Sequence, residues 1–168
     1  VSSEASILVG VMNDTVWVRV EGKGTFQNST GVKEFAKAMM ARGHQRFVFD
    51  LRGCPMMDST FMGTLAGIAL KVRGREGAGV GVVNLNERTR GLLSNLGLDQ
   101  LLELQPEGQP GASSPVVGKA LEVGMDDRRT CAKTMLEAHQ AVVDANPLNE
   151  GKFKDVLEYL RQDLEAQS

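Results

Sequence analysis

A chain of 168 residues, 42% hydrophobic and 24% charged, has the size and balance of one globular, soluble domain with enough length to bury a core. Its formal charge of −2 lacks the basic excess that marks a nucleic-acid-binding domain. The two cysteines, Cys54 and Cys131, stand far apart and outside any CxxC pair, which excludes a disulfide framework or zinc finger and points to a reducing compartment.

The opening run ILVGVM is broken by Asn13–Asp14. It is too short for a signal peptide and has no basic flank, and nothing later approaches the roughly 18 apolar residues of a membrane span. The cytoplasm is the expected location. Because the chain opens at Val1 and not at methionine, a longer natural N-terminus is expected.

Residues 7–12 and 15–20 read as strands joined by a two-residue Asn13–Asp14 turn. From Ser29 the period changes: Val32, Phe35, Ala36, Met39 and Met40 follow an amphipathic helical spacing that Gly43 stops. RFVFDL, 46–51, is a continuous apolar run of strand length, suited to a strand covered on both faces. Phe61 to Val72 form the next helix, GVGVVNL (79–85) the next strand, and Arg90–Leu96 a short helix ended by Gly97. Leu101–Leu104 closes the series as a short strand. This β-β-α-β-α-β-α-β order implies a mixed, mostly parallel α/β sheet with right-handed crossovers, filling residues 1–104.

Residues 105–125 read as a linker, since QPEGQPGASSPVVG is rich in proline and glycine. Residues 126–168 form a C-terminal helical hairpin. Its first helix carries Met135, Leu136, His139, Val142 and Val143, and its second carries Phe153, Val156, Leu157, Leu160 and Leu164. Extra packing on the core is the plain reading of this hairpin; a homodimer or partner surface is the sharper one.

Catalytic and metal constellations are sparse. His44 lies in a polar turn and His139 on an apolar helix stripe, where a hydrogen-bonded core histidine is the ordinary expectation; no HxH, HExxH or Cys/His cluster suggests a metal. The glycines of GREGAGVGVV precede a strand and do not fit GxGxxG, and no GxxxxGK[ST] occurs. No cofactor is expected. A hydrolase using Asp58 and Ser59 has no base or oxyanion arrangement in view.

The stretch CPMMDSTFMGTLAG, 54–67, holds the one polar cluster with a defined place. Asp58 suits an N-cap, and Met57 and Met62 occupy the positions of a hydrophobic staple. Ser59 and Thr60 then fall in the first turn, with Ser59 expected to be exposed. Free amides and the helix dipole there tolerate an added phosphoryl group.

The segment RFVFDLRGCPMMDSTFMGTLAGIALKVRGREGAGVGVVNLNERTRGLLSNLGLDQLLEL resembles the STAS domain of the anti-sigma factor antagonists. The match is carried by the strand ending in Asp50–Leu51, by MDSTFMGTL against a Met-Asp-Ser-Ser/Thr-x-x-Gly helix start, by the glycine turn into GVGVVNLN, and by RGLLSNLGLDQLLEL. The resemblance implies partner switching. An unphosphorylated antagonist binds an anti-sigma factor that is a serine kinase of the ATPase fold, is released when phosphorylated, and is restored by a serine phosphatase. By position the phosphoacceptor is Ser59, with Asp58, Thr60 and Phe61 at the helix cap and partner surface. ATP belongs to the kinase, so the chain is a substrate and not an enzyme. The alternative is a phosphorylation-independent STAS binding module in a signalling or transport assembly.

Two departures stand out. Many family members carry a Gly-x-Leu-Asp turn before the first helix; EGKGTFQNSTG has no aspartate, so Gly22, Thr25 and Asn28 are candidates for an altered partner surface. Phe61 and Met62 also replace a small-then-leucine pattern, and Phe61 is expected to restrict which kinase reaches the acceptor.

Overall fold

The computed structural model describes residues 6–106, 119–121 and 127–166. Strands β1 (Ser6–Met12) and β2 (Thr15–Glu21) form an antiparallel hairpin in which Met12 faces Thr15. Asn13 and Asp14 turn it at φ 53° and 66°, left-handed values that these residue types tolerate and that match the twist of a two-residue turn. The chain continues through α1 (Phe26–Ala41), β3 (Arg46–Gly53), α2 (Ser59–Val72), β4 (Gly79–Leu85) and α3 (Glu87–Asn95) to β5 (Glu103–Pro106).

The sheet order is β5-β4-β3-β2-β1-β6, with β2 to β5 parallel. From β2 onward each strand is added on the same side, so every right-handed crossover delivers its helix to the same face. That face carries Val16, Val18, Val20, Phe47, Phe49 and Leu51, and one core cluster joins them to residues of α1, α2, α3 and α4. RFVFDL is covered on both faces, as its continuous apolar run implied: Phe47 to Leu51 are all buried. The opposite face holds only Trp17, Val48 and Val83 as a small separate cluster, to which no described helix contributes. Beside it Asp50 is buried and accepts from Asn84 Nδ2 at 2.8 Å.

Several boundaries shift, α2 opening at Ser59 and α3 at Glu87. Helix α1 begins at Phe26, three residues before the apolar stripe suggested, because Thr25 and Asn28 form a reciprocal capping box. The last parallel strand starts at Glu103, since Gly97 at φ 71° ends α3 and a 3-10 turn over Leu98–Gln100 buries Leu98. Within the stretch expected to be linker, β6 (Lys119–Leu121) pairs antiparallel with the free edge of β1.

Helices α4 (Arg128–Ala145) and α5 (Glu150–Ala166) form the hairpin, joined by a 3-10 turn at Pro147–Asn149. Asp127 caps α4 by accepting from Thr130 N at 2.7 Å, which holds its carboxyl below the usual carboxylate range. Such a depressed carboxyl supports the native state above its ordinary pKa, and that support fades as pH falls through the lowered value.

The hairpin lies against the helical face. A Cβ at Gly63 would run into the backbone carbonyl of Ala138, and one at Gly67 would stand 3.7 Å from Ala141 Cβ. Gly63 therefore lets α4 approach α2 at backbone distance, while a side chain at Gly67 would meet only ordinary contact. At the far end, buried Asn149 donates through Nδ2 to Leu96 O at 2.8 Å and to Val142 O at 3.1 Å, tying the hairpin turn to the end of α3.

Two stability outcomes follow. Asn149→Ala leaves two carbonyls without that donor, and urea denaturation is expected to give a loss of about 1–3 kcal/mol. Asp58→Ala removes one cap bond within α2 and a second to the start of α1 (Phe61 N and Phe26 N, both at 2.8 Å). Its expected loss is about 1–2 kcal/mol in the same measurement, with the fold retained by circular dichroism.

Candidate functional site

The start of α2 is built from three segments. Asp58 is the N-cap: its Oδ1 accepts from Phe61 N and its Oδ2 from Phe26 N, each at 2.8 Å. Its own amide donates to Gly24 O at 2.9 Å, while Gly24 N donates to Met56 O at 3.0 Å. The β2–α1 loop and the α2 cap are thus one bonded unit. Gly24 is needed there, because a Cβ on it would stand 2.8 Å from Phe61 Cδ1. The neighbouring thiol of Cys54 is buried, which pushes its pKa up despite hydrogen bonds with the backbone of Gly24 and Met56; a protonated, enclosed thiol is chemically quiet.

Ser59 is the first residue of α2 and is half-buried, not exposed as expected. Its Oγ lies 2.9 Å from His139 Nε2 on α4. The other ring nitrogen, Nδ1, lies 2.6 Å from Met135 O. A carbonyl can only accept, so Nδ1 carries the proton, which leaves Nε2 as the acceptor for the Ser59 hydroxyl in the uncharged form of the ring. His139 is itself buried, and its ring packs against Phe153 of α5 with centroids 5.2 Å apart. One helical turn before His139, Thr134 shares a buried 2.7 Å hydrogen bond with Thr30 of α1. At the rim, Lys33 Nζ reaches Glu137 Oε2 at 2.9 Å.

The other candidates separate by burial. Thr60 and Asn28 are buried, and Phe61 is fully enclosed at 0% exposure. The ring of Phe61 packs inward on Gly24, so it offers no side chain to a partner in this conformation, contrary to its expected place on the surface. Asn28 serves α1 internally, its Oδ1 accepting from Thr25 N at 3.0 Å. Gly22 and Thr25 are half-buried and lie beside the cap.

A base beside Ser59 was absent from the sequence reading, and His139 now occupies that position. A serine donating to imidazole is the first half of a nucleophilic constellation. Its third member here is a helix carbonyl, because both Asp58 oxygens are taken by amides. A groove of about 610 Å³ opens between α1, α2 and α4, lined by Lys33, Lys37, Thr64, Lys71 and Lys133 among others, but neither Ser59 nor His139 lines it. Among the described residues no group of three or more His, Cys, Asp or Glu is placed to hold a metal, and no helix is long and apolar enough to cross a membrane. His139, Thr134, Gly24 and Gly63 were not singled out as site residues by the sequence reading. Only the helical stripe through His139 signalled that it faced inward.

Comparison with known proteins follows the same division of the chain. No curated protein sequence matches it. A candidate anti-sigma factor antagonist from Thermotoga maritima superposes with a TM-score of 0.52 at 17% identity, covering 59% of this chain and 85% of its own. An anti-sigma factor antagonist from Mycobacterium paratuberculosis gives 0.54 at 23% identity, covering 63% and 89%. At these identities the likeness is one of fold. The STAS domain profile matches residues 6–109, which takes in the sheet through β5, the first three helices and the Asp58–Ser59 cap but leaves out α4 and α5. The chain belongs to the STAS domain family.

Proposed function

We propose that this chain is an anti-sigma factor antagonist working by partner switching in the cytoplasm. In this reading it binds an anti-sigma factor, itself a serine kinase of the ATPase fold, while Ser59 bears a free hydroxyl. Phosphorylation of Ser59 ends the complex, and a serine phosphatase restores it. ATP is held by the kinase, so the chain acts as substrate and not as enzyme.

The observation that carries the reading is the place of Ser59 as the first residue of α2, directly after the double cap of Asp58. A phosphoryl group there adds about −1.5 to −2 charge units at neutral pH. A partner surface fitted to the neutral helix start would have to desolvate that charge, a cost of several kcal/mol unless it is paired. Burial of Thr60 makes it the poorer acceptor of the two hydroxyls; Gly22 and Thr25 flank the contact. Self-association through the hairpin would use its outer apolar residues, Leu148, Val156 and Tyr159, which are exposed.

A second reading, a phosphorylation-independent binding module, draws on the Ser59–His139 hydrogen bond: a hydroxyl already satisfied within the chain can be purely structural. Binding to the anti-sigma factor separates the two. Ser59→Asp is expected to weaken it by about tenfold or more, equivalent to about 1.4 kcal/mol, whereas a structural hydroxyl predicts unchanged capture. Incubation with the cognate kinase and ATP, followed by intact mass, is expected to add one phosphoryl group to the native chain and none to Ser59→Ala. Phosphate on another residue of the native chain, or on the alanine variant, sinks the assignment.

A further inference from the structure

We propose that the α4–α5 hairpin covers the Ser59 corner of the STAS domain, and that phosphorylated Ser59 and the docked hairpin exclude one another. This rests on the reading of Ser59 as phosphoacceptor and adds what the family domain, residues 6–109, does not contain.

The donor geometry comes first. Ser59 Oγ lies 2.9 Å from His139 Nε2, within hydrogen-bond distance. Phosphorylation forms a bond from Ser59 Oγ to the γ-phosphorus of ATP as the bond to ADP breaks, and the hydroxyl proton leaves to a base of the kinase. Nε2 then loses its donor, and three phosphoryl oxygens must occupy the space the imidazole fills.

The ring cannot step aside alone. It is buried, fixed through Nδ1 to Met135 O at 2.6 Å, and backed by Phe153 of α5. Nor can the helices part slightly. Gly63 of α2 already meets the Ala138 carbonyl of α4 at backbone contact, and the buried Thr30–Thr134 bond at 2.7 Å fixes the register one turn away.

Charge points the same way. Asp58 already takes the amides of Phe61 and Phe26 and sets a carboxylate beside the acceptor, which offsets part of what the helix start would give a phosphate. The cations of this seam, Lys33 with Glu137 and the lysines of the groove, line a groove that does not include Ser59. A dianion at Ser59 is therefore best satisfied by water, and it is fully hydrated only when α4 moves off the half-buried corner. Closed, the hairpin partly shields the acceptor; open, it uncovers it.

The test uses the full chain with phosphoserine installed at residue 59 during translation, so it does not depend on finding a kinase. Hydrogen exchange is followed for α4 and α5 against β3 and β4. Phosphoserine is expected to lower protection across residues 128–166 by about tenfold or more, with β3 and β4 unchanged. Ser59→Ala, which leaves His139 Nε2 without its partner but adds no charge or bulk, is expected to lower protection less than phosphoserine does. Unchanged hairpin protection with phosphoserine overturns the proposal. So does protection that is kept with phosphoserine and lost only on adding His139→Ala, because His139 would then clasp the phosphate. Should β3 and β4 also open, Ser59→Glu is read the same way, with selective loss over α4–α5 expected and none overturning the idea. A kinase that labels another residue would refute the phosphoacceptor reading while leaving this exchange result standing.

Discussion

The carboxylate of Asp58 accepts from the first turns of two helices at once, through Phe61 N and Phe26 N at 2.8 Å each. A cap ordinarily satisfies one helix; here one residue joins α1 and α2, and its own amide fastens the joint to Gly24 O. Ser59, next in sequence, has no freedom to lie anywhere but at the corner between the two helix starts. Both carboxylate oxygens are occupied by amides, so the same interaction that positions the hydroxyl removes those amides from any anion that arrives there.

The seam between the hairpin and this corner combines two kinds of contact. Gly63 and Gly67 facing Ala138 and Ala141 give close approach with little side-chain area. The buried pairs, Thr30 with Thr134 and Ser59 with His139, give register. A hydrogen bond of this kind contributes only about 1 kcal/mol net when made and costs more when one partner is left unsatisfied. Such a seam is specific without being strong in any one contact. It also differs in character from the aromatic and branched core beneath, where Phe47, Phe49 and Phe61 are fully enclosed.

Much of this fold was legible in the chain because local rules decide it. The Asn13–Asp14 turn, the Asp58 cap and the stripes of α2, α4 and α5 each follow from residues within one or two turns. The outward residues of RFVFDL, Val48 and Asp50, are buried as that continuous apolar run implied. Two points escaped, one for a local reason and one for a non-local one. Helix α1 starts early because its capping box uses Asn28 where a glutamate or glutamine is the recognisable signal. His139 was read as an ordinary core histidine. Its hydrogen-bond partner lies 80 residues earlier, a pairing that spacing cannot convey and only the docking of α4 on α2 creates.

The two departures from the resembled pattern meet in the structure. The ring of Phe61 lies on Gly24 so closely that a Cβ there would be 2.8 Å away. A bulky ring on the helix and a bare glycine on the loop thus fill one volume, as close packing requires. Thr25 keeps a capping oxygen for α1, accepting from Gln27 N at 3.2 Å. The contact is therefore internal: it packs the ground beneath the α2 start, and the side chain that stands over Ser59 is not Phe61 but His139 of α4.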